Sequence, residues 1–185
     1  VTHLSSKDRL QQDGLNQWVR DEFAGHRRFE LDANQEAVLW LNTPFELVEV
    51  VRALQHHQQS LFDRLSDLSA YDNIDGKDGT ERFVSVTHLY STKYHTRIRI
   101  KCLVGEKDQV PTLTGIWKMA NWLERECFDM FGIVYAGHPD LRRLLMDERF
   151  EGFPLRKEYP LEGRQQFSDS LGIRIMSQNT HGEKP

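Results

Sequence analysis

Glu124, Glu126, Asp129 and His138 lie close together in the stretch Asn121–Pro160, and are the groups of this chain best placed to move protons or hold a hard cation. On a helix, Glu126 and Asp129 share a side at a spacing of three, whereas Glu124 points elsewhere. No second carboxylate cluster or histidine at metal-ligand spacing accompanies them. Acids at a helix start, paired with nearby cations, account for the same pattern without chemistry. Cys102 and Cys127 could join His138 around zinc, but no C-x-x-C or H-x-x-x-H spacing supports that set. Both read better as small buried hydrophobes. The chain has no glycine-rich phosphate loop, no G-x-S-x-G elbow and no iron–sulfur cysteine set. His56-His57 falls at an expected helix end, where a solvated or dipole-facing role suffices. A stand-alone hydrolase or lyase built on Glu126, Asp129 and His138 would need a pocket in which all three converge on a substrate.

The cations of the same stretch point elsewhere. Arg142-Arg143 and Arg156-Lys157 each follow a turn and are flanked by Leu141, Leu144 and Leu145 or by Leu155 and Tyr159. Solvated loop charge is one account. The other is a partner surface, since arginines beside apolar anchors, in a run rich in Trp, Phe and Tyr, match interface composition.

Composition bounds the rest. The chain of 185 residues is long enough for one domain with a real core plus a tail. Its net charge of −4 and pI near 6.1 argue against a general nucleic-acid binder. Two cysteines make no disulfide framework, so a reducing compartment is expected. Mean hydropathy is −0.62, no apolar run approaches the roughly 20 residues of a membrane span, and the start lacks a secretory signal. A soluble chain is expected, with membrane association only through a partner.

The elements that must position these residues can be read from periodicity. Leu15, Trp18, Val19 and Phe23 mark a helix over about Asp8 to Phe23, with Gly25 as its stop. Phe29–Ala33 and Ala37–Leu41 form a hairpin about Asn34-Gln35-Glu36. Thr43-Pro44-Phe45-Glu46 reads as a capping box, and Leu47, Val50, Val51 and Leu54 form one face of the helix it starts. Leu65–Tyr71 is read as a strand, although Leu61, Leu65 and Leu68 suit a helix too. Arg82–Tyr90 and Thr96–Val104 alternate clearly and pair as a hairpin across Ser91–His95. A short helix is expected over Thr112–Lys118, and another over about Trp122–Phe131, capped by Asn121 and stopped at Gly132. Ile133–Tyr135 is strand-like, Asp140–Met146 suits a turn or two of helix, and irregular chain follows Asp147. The fold class is α+β (an α/β sandwich): helices on a mixed, mostly antiparallel sheet, then an irregular C-terminal segment. Residues 1–120 form the scaffold. Residues 121–160 belong to the same globular unit and face a partner, and 161–185 make a polar tail ordered only with partners.

Glu124-Arg125-Glu126-Cys127-Phe128-Asp129-Met130-Phe131-Gly132, then Gly137-His138-Pro139-Asp140-Leu141-Arg142-Arg143, Phe150-Glu151-Gly152 and Pro154-Leu155-Arg156-Lys157-Glu158-Tyr159-Pro160, resemble the signature of one family. That family is the C subunit, or thirty-kilodalton subunit, of respiratory complex I (proton-translocating NADH:quinone oxidoreductase). Val86–Ser91 and Arg97–Lys101 also look like it, so the resemblance covers about Leu61 to Pro160.

The resemblance implies a structural, non-redox subunit of the peripheral arm, with no catalytic residues, metal or cofactor of its own. NADH, FMN, iron–sulfur clusters and quinone belong to the complex. The implied partners are the quinone-site (D, or forty-nine-kilodalton) subunit and neighbouring iron–sulfur subunits, on the cytoplasmic face of a bacterial inner membrane or the matrix side of a mitochondrial one. Equivalent subunits of membrane-bound hydrogenase, formate hydrogenlyase and ferredoxin:plastoquinone complexes share the signature. Its expected structural residues are Glu124, Arg125, Glu126, Asp129, Phe131, Gly132, His138 and Pro139. Arg142, Arg143, Arg156, Lys157 and Tyr159 are the candidates for partner contact, and charge reversal at Arg143 is expected to harm assembly more than folding.

Overall fold

Among the described residues, five strands form a main sheet with one covered and one open face, two more strands pair separately, and three α-helices accompany them. The computed structural model describes residues 6–23, 28–33, 36–58 and 60–160, without the side chains of 6–12. Gly25, Asn34, Gln35 and the tail from 161 lie outside the described residues. Helix α1 is Ser6–Phe23, and strands β1 (Arg28–Leu31) and β2 (Ala37–Leu41) pair antiparallel. Thr43 has the extended backbone of a cap and Pro44 opens the helical turn, but Pro44–Glu46 is a 3-10 turn and Thr43 makes no capping hydrogen bond. The expected capping box is therefore present in backbone geometry only. Helix α2 (Leu47–His56) buries Leu47, Val50, Val51 and Leu54, as its periodicity predicts.

Strands β3 (Arg64–Asp72), β4 (Phe83–Ser91) and β5 (Thr96–Val104) complete a sheet of order β1-β2-β5-β4-β3. All pairs are antiparallel except β2 with β5, which run parallel. The β4–β5 register, from Phe83↔Val104 to Ser91↔Thr96, is the predicted hairpin. Leu39, Leu65, Leu68, Leu89, Ile98 and Ile100 point to the covered face, where Leu15 and Val19 of α1 and the apolar side of α2 complete one core. Val38, Trp40, Val84 and Val86 form a separate small cluster on the other face, to which no helix contributes among the described residues.

After β5 the chain makes β6 (Gln109–Pro111), turns over 114–116, and enters helix α3 (Ala120–Phe131). Strand β7 (Val134–Ala136) then returns parallel to β6. The helix expected over Thr112–Lys118 is only this turn, closed by the Trp117 amide on the Leu113 carbonyl. Val110, Leu113, Cys127, Met130, Phe131 and Tyr135 are buried in the same core as the main sheet. From Gly137 to Pro160 there is no regular element, so the helix expected over Asp140–Met146 is absent.

Candidate functional site

Helix α3 organises this irregular stretch with three buried charges, Glu124, Arg125 and Asp129, exposed by 0%, 6% and 0%. A buried charge is tolerated only with partners on nearly all its polar atoms. Each of the three has them, and each finds them outside α3.

Arg125 and Asp129 are one helical turn apart and hold opposite groups of one passing segment. Arg125 donates from Nε to the Arg142 carbonyl (3.1 Å) and from Nη2 to the Arg143 carbonyl (2.9 Å). Asp129 Oδ2 accepts three successive amides, those of Leu144 (3.0 Å), Leu145 (2.7 Å) and Met146 (2.8 Å). Three consecutive N–H groups aimed at one oxygen make an anion nest. Its other oxygen accepts from Arg143 Nη1 at 2.7 Å, and Arg143 Nη2 donates onward to the Gly152 carbonyl at 2.8 Å. Burial pushes the Asp129 carboxyl upward, but the Met146 amide, the Arg143 guanidinium and the Leu145 and Leu144 amides outweigh it, leaving it below its ordinary value.

The next stretch is fastened at the end of α3. Gly132 closes the helix in the left-handed region (φ 80°), as its position predicts, its amide on the Phe128 carbonyl. Two carbonyls of the last turn are taken by later residues: Met130 by the Leu155 amide (3.1 Å), Phe131 by Arg156 Nε (2.7 Å). Arg156 also lies over the rings of Phe153 (4.5 Å) and Phe83 (5.0 Å). A β-carbon at Gly132 would stand 2.6 Å from Arg156 Nη2 and 2.7 Å from Phe153, so packing demands glycine there as strongly as the backbone does. Farther on, Asp72 at the end of β3 accepts the Lys157 amide (2.8 Å) and a bidentate pair from Arg82 (2.9 and 3.0 Å). Arg82 in turn meets Glu106 and Glu158.

Glu124 faces the other way. Its oxygens accept from the Leu113 amide and the Thr112 hydroxyl, both at 2.6 Å. His138 Nε2 lies 4.0 Å away, and its Nδ1 accepts the Asp140 amide at 3.0 Å. Because that amide can only donate, a neutral His138 ring carries its proton on Nε2, directed at the Asn121 carbonyl 3.1 Å away. Burial pushes the Glu124 carboxyl up to about 7, only partly offset by Thr112 and Leu113.

A stability prediction follows from this shift. A folded-state value raised above the unfolded one means the native state binds the extra proton, so this contribution is complete below the unfolded value and is lost as pH rises to about 7. His88, whose value burial and Arg99 lower, acts in the opposite sense near the same range. The difference between the wild type and Glu124→Gln isolates Glu124. Urea titrations at pH 5 and pH 7.5 are expected to show a wild-type loss, relative to the variant, of about 2 kcal/mol. Equal pH dependence in both proteins would show that Glu124 keeps an ordinary value.

The sequence-predicted residues thus separate. Glu124, Arg125 and Asp129 are internal ties, but not through capping: α3 starts without a side-chain cap at Met119, Asn121 lies inside it, and no acid sits in its first turn. Glu126 is exposed. Phe131 is buried and Pro139 exposed in the turn after His138. Arg143 and Arg156 are engaged within the chain. Arg142 is exposed and pairs with Asp140, and the Lys157 side chain is exposed. Tyr159 is half-buried against Phe150, ring centroids 5.6 Å apart. Asp72, Arg82, Thr112 and Leu113 are partners that sequence reading missed. The only signal for the first two was a charged residue at a strand boundary.

Exposed apolar side chains lie on and beside this site: Met119 just before α3, Trp122 on it, Val134, Leu145 and Leu155. Cys102 and Cys127 are free and buried, and burial pushes both thiols up to about 12. Among the described residues no three His, Cys, Asp or Glu side chains are placed to hold a metal ion, and no helix is long and apolar enough to cross a membrane.

Residues 42–165 match the family model described as respiratory-chain NADH dehydrogenase, 30 kDa subunit. The C 2 subunit of the NADH-quinone oxidoreductase of Rhizobium meliloti (strain 1021) is 52% identical over 120 residues, covering 65% of this chain and 64% of that protein. The C subunit of the same enzyme in Methylobacillus flagellatus (strain ATCC 51484 / DSM 6875 / VKM B-1610 / KT) is 38% identical over 160 residues, 84% of this chain and 80% of its own. NADH-ubiquinone oxidoreductase subunit 9 of Reclinomonas americana is 44% identical over 120 residues, 65% of this chain and 56% of its own. The chain therefore spans less than two thirds of the length of the Rhizobium and Reclinomonas relatives. A chain in the structure of the membrane-bound sulfane sulfur reductase, an archaeal respiratory membrane complex, shares the fold with a TM-score of 0.67 at 17% identity, covering 80% of this chain and 85% of that one.

Proposed function

The chain belongs to the family of the 30 kDa subunit of respiratory-chain NADH dehydrogenase, and we propose that it is a structural subunit of the peripheral arm of an NADH:quinone oxidoreductase. Its role there is to present a rigid surface to the quinone-site subunit and to neighbouring iron–sulfur subunits. It binds no cofactor. NADH, FMN, iron–sulfur clusters and quinone are handled by the rest of the complex, through which the chain is held at the membrane.

The observation that carries this reading is that residues 140–158 lack regular structure yet are tied to α3 and β3 by Arg125, Asp129, Arg143, Arg156 and Asp72. A fixed, irregular segment that exposes Leu145, Leu155, Arg142 and Lys157 suits recognition by a partner. The hydrolase reading fares worse. The oxygens of Asp129 are filled by four donors, both His138 nitrogens have backbone partners, and Glu126 is exposed.

Gentle detergent extraction of native membranes, affinity capture of this chain and mass spectrometry test the proposal. Recovery of flavin- and NADH-binding subunits is the expected result. A nickel–iron large subunit in their place would assign the chain to a membrane-bound hydrogenase, and capture of no oxidoreductase subunit would end the reading.

A further inference from the structure

The open face of the sheet carries a second feature. Half of that face is closed by its own side chains. Trp40 donates from Nε1 to Glu30 Oε1 at 2.8 Å and lies beneath Lys101 (4.7 Å) and Arg28 (5.0 Å). Lys101 also reaches the Tyr71 ring, and Tyr71 bonds Asp78.

The other half is an open depression of about 350 Å³ at the β3–β4–β5 end. Register lays its residues in two rows across the sheet. Arg64, Tyr90 and Arg97 make one row, and Asp67, His88 and Arg99 the next. Glu36 and Asp67 are the carboxylates in its lining, against Arg64, Arg97 and Arg99. Arg99 has a partner in Asp32 at 3.5 Å, and the Asp67 carboxylate accepts the Leu68 amide. The guanidiniums of Arg64 and Arg97 make no hydrogen bond or ion pair among the described residues. Arg97 merely rests over the Tyr90 ring at 5.8 Å. His88, half-buried in the middle of the second row, faces Asp67 on β3 and Arg97, Arg99 and Lys101 on β5, and burial with these cations holds it below its ordinary value.

We propose that this depression docks an extended acidic segment of a neighbouring subunit, whose carboxylates are taken by Arg64 and Arg97 on either side of Tyr90. The inference rests on the proposed membership of a multisubunit complex. Charge complementarity selects the occupant. Strand spacing puts the two arginines roughly 10 Å apart, and side chains on one side of an extended segment recur every ~7 Å, within the reach of flexible guanidiniums. The shallow, charged lining is unlike the enclosed, mostly apolar pockets that hold small ligands. Arginine and tyrosine are the residues enriched where proteins meet.

The test uses the assembled complex in native membranes. Cells expressing Arg64→Glu/Arg97→Glu, or Arg64→Gln/Arg97→Gln, are compared with wild type for recovery of the other subunits with this chain. A photo-crosslinking p-benzoylphenylalanine in place of Ser66, an exposed residue in the lining, identifies the neighbour. Recovery is expected to fall about tenfold or more for the glutamate pair and less for the glutamine pair, with unfolding of the purified chain unchanged. The crosslink is expected on a segment of another subunit rich in Asp and Glu. Wild-type recovery by both variants, or a crosslink to a neutral or basic segment, to lipid or to nothing, would overturn the inference and leave the proposed function standing. If wild type itself recovers no oxidoreductase subunits, the proposed function fails and this inference with it.

Discussion

Asp129→Ala is expected to lower the unfolding free energy of the purified chain by about 3–5 kcal/mol, the usual cost of stripping one partner from a buried charge. The variant leaves three amides without their acceptor and Arg143 without its main counter-charge. Asp129→Asn is expected to cost roughly 1–3 kcal/mol, because one side-chain atom still accepts while the other now presents hydrogens to donors. Urea unfolding measures the loss, and native-state hydrogen exchange locates it, with the Leu144–Met146 amides opening first. The pH dependence has the opposite sign to that of Glu124. A carboxyl held below its ordinary value stabilises the fold above the unfolded value and loses that contribution as pH falls through the folded one. The gap between wild type and Asp129→Asn should therefore narrow in acid, below about pH 4. A loss under about 1 kcal/mol for the alanine variant, with unchanged exchange at 144–146, would show that the nest holds nothing.

Much of the fold was legible because local pattern and tertiary role agree along it. Leu47, Val50, Val51 and Leu54 form a helical stripe and are buried as one. The alternation in β4 and β5 marks both strands and their pairing. Strand β3 was ambiguous for a physical reason. Its register slips between Leu65 and Asp67, so Leu65 and Leu68, three apart, face the same core, and a bulged strand imitates helical spacing.

The misread helix over Asp140–Met146 has a matching cause. In a helix the amides of 144–146 would bond carbonyls four residues back, those of 140–142. Here the Arg142 carbonyl is held by Arg125 and all three amides by Asp129. Side chains from a distant helix outbid the local ladder, and no window of sequence contains both parties. Of the acids of α3, Glu124 and Asp129 are buried and Glu126 is exposed, and none of them caps the helix. Near a helix start, capping is the default reading of Glu124, and only the folded chain shows its oxygens on the Thr112–Leu113 turn. The arginines divide on the same ground: Arg142 and Arg143 are adjacent in sequence, but one is on the surface and the other on a buried carboxylate.

That division yields the most discriminating mutation. Sequence reasoning expects charge reversal at Arg143 to harm assembly more than folding, and the geometry reverses this order. Arg143→Glu would set a second carboxylate against the buried Asp129 and release the Gly152 carbonyl, so a loss of at least about 3–5 kcal/mol is expected in the isolated chain. Arg142→Glu replaces an exposed pair with Asp140 by an exposed like-charge contact and should change stability by about 1 kcal/mol or less. Its backbone carbonyl, which Arg125 uses, is untouched. The two variants are measured twice, by urea unfolding of the purified chain and by recovery of partner subunits from membranes. Arg143→Glu is expected to fail both, because a loosened 140–152 segment no longer has a fixed shape to offer. Arg142→Glu is expected to unfold like wild type, so any fall in its recovery measures what the Arg142 side chain does directly at the interface. Wild-type unfolding by Arg143→Glu would show that the clamp holds nothing and return Arg143 to the surface. A fold that fixes its partner-facing segment by buried charge makes segment shape and domain stability one quantity, and only the exposed arginine separates them.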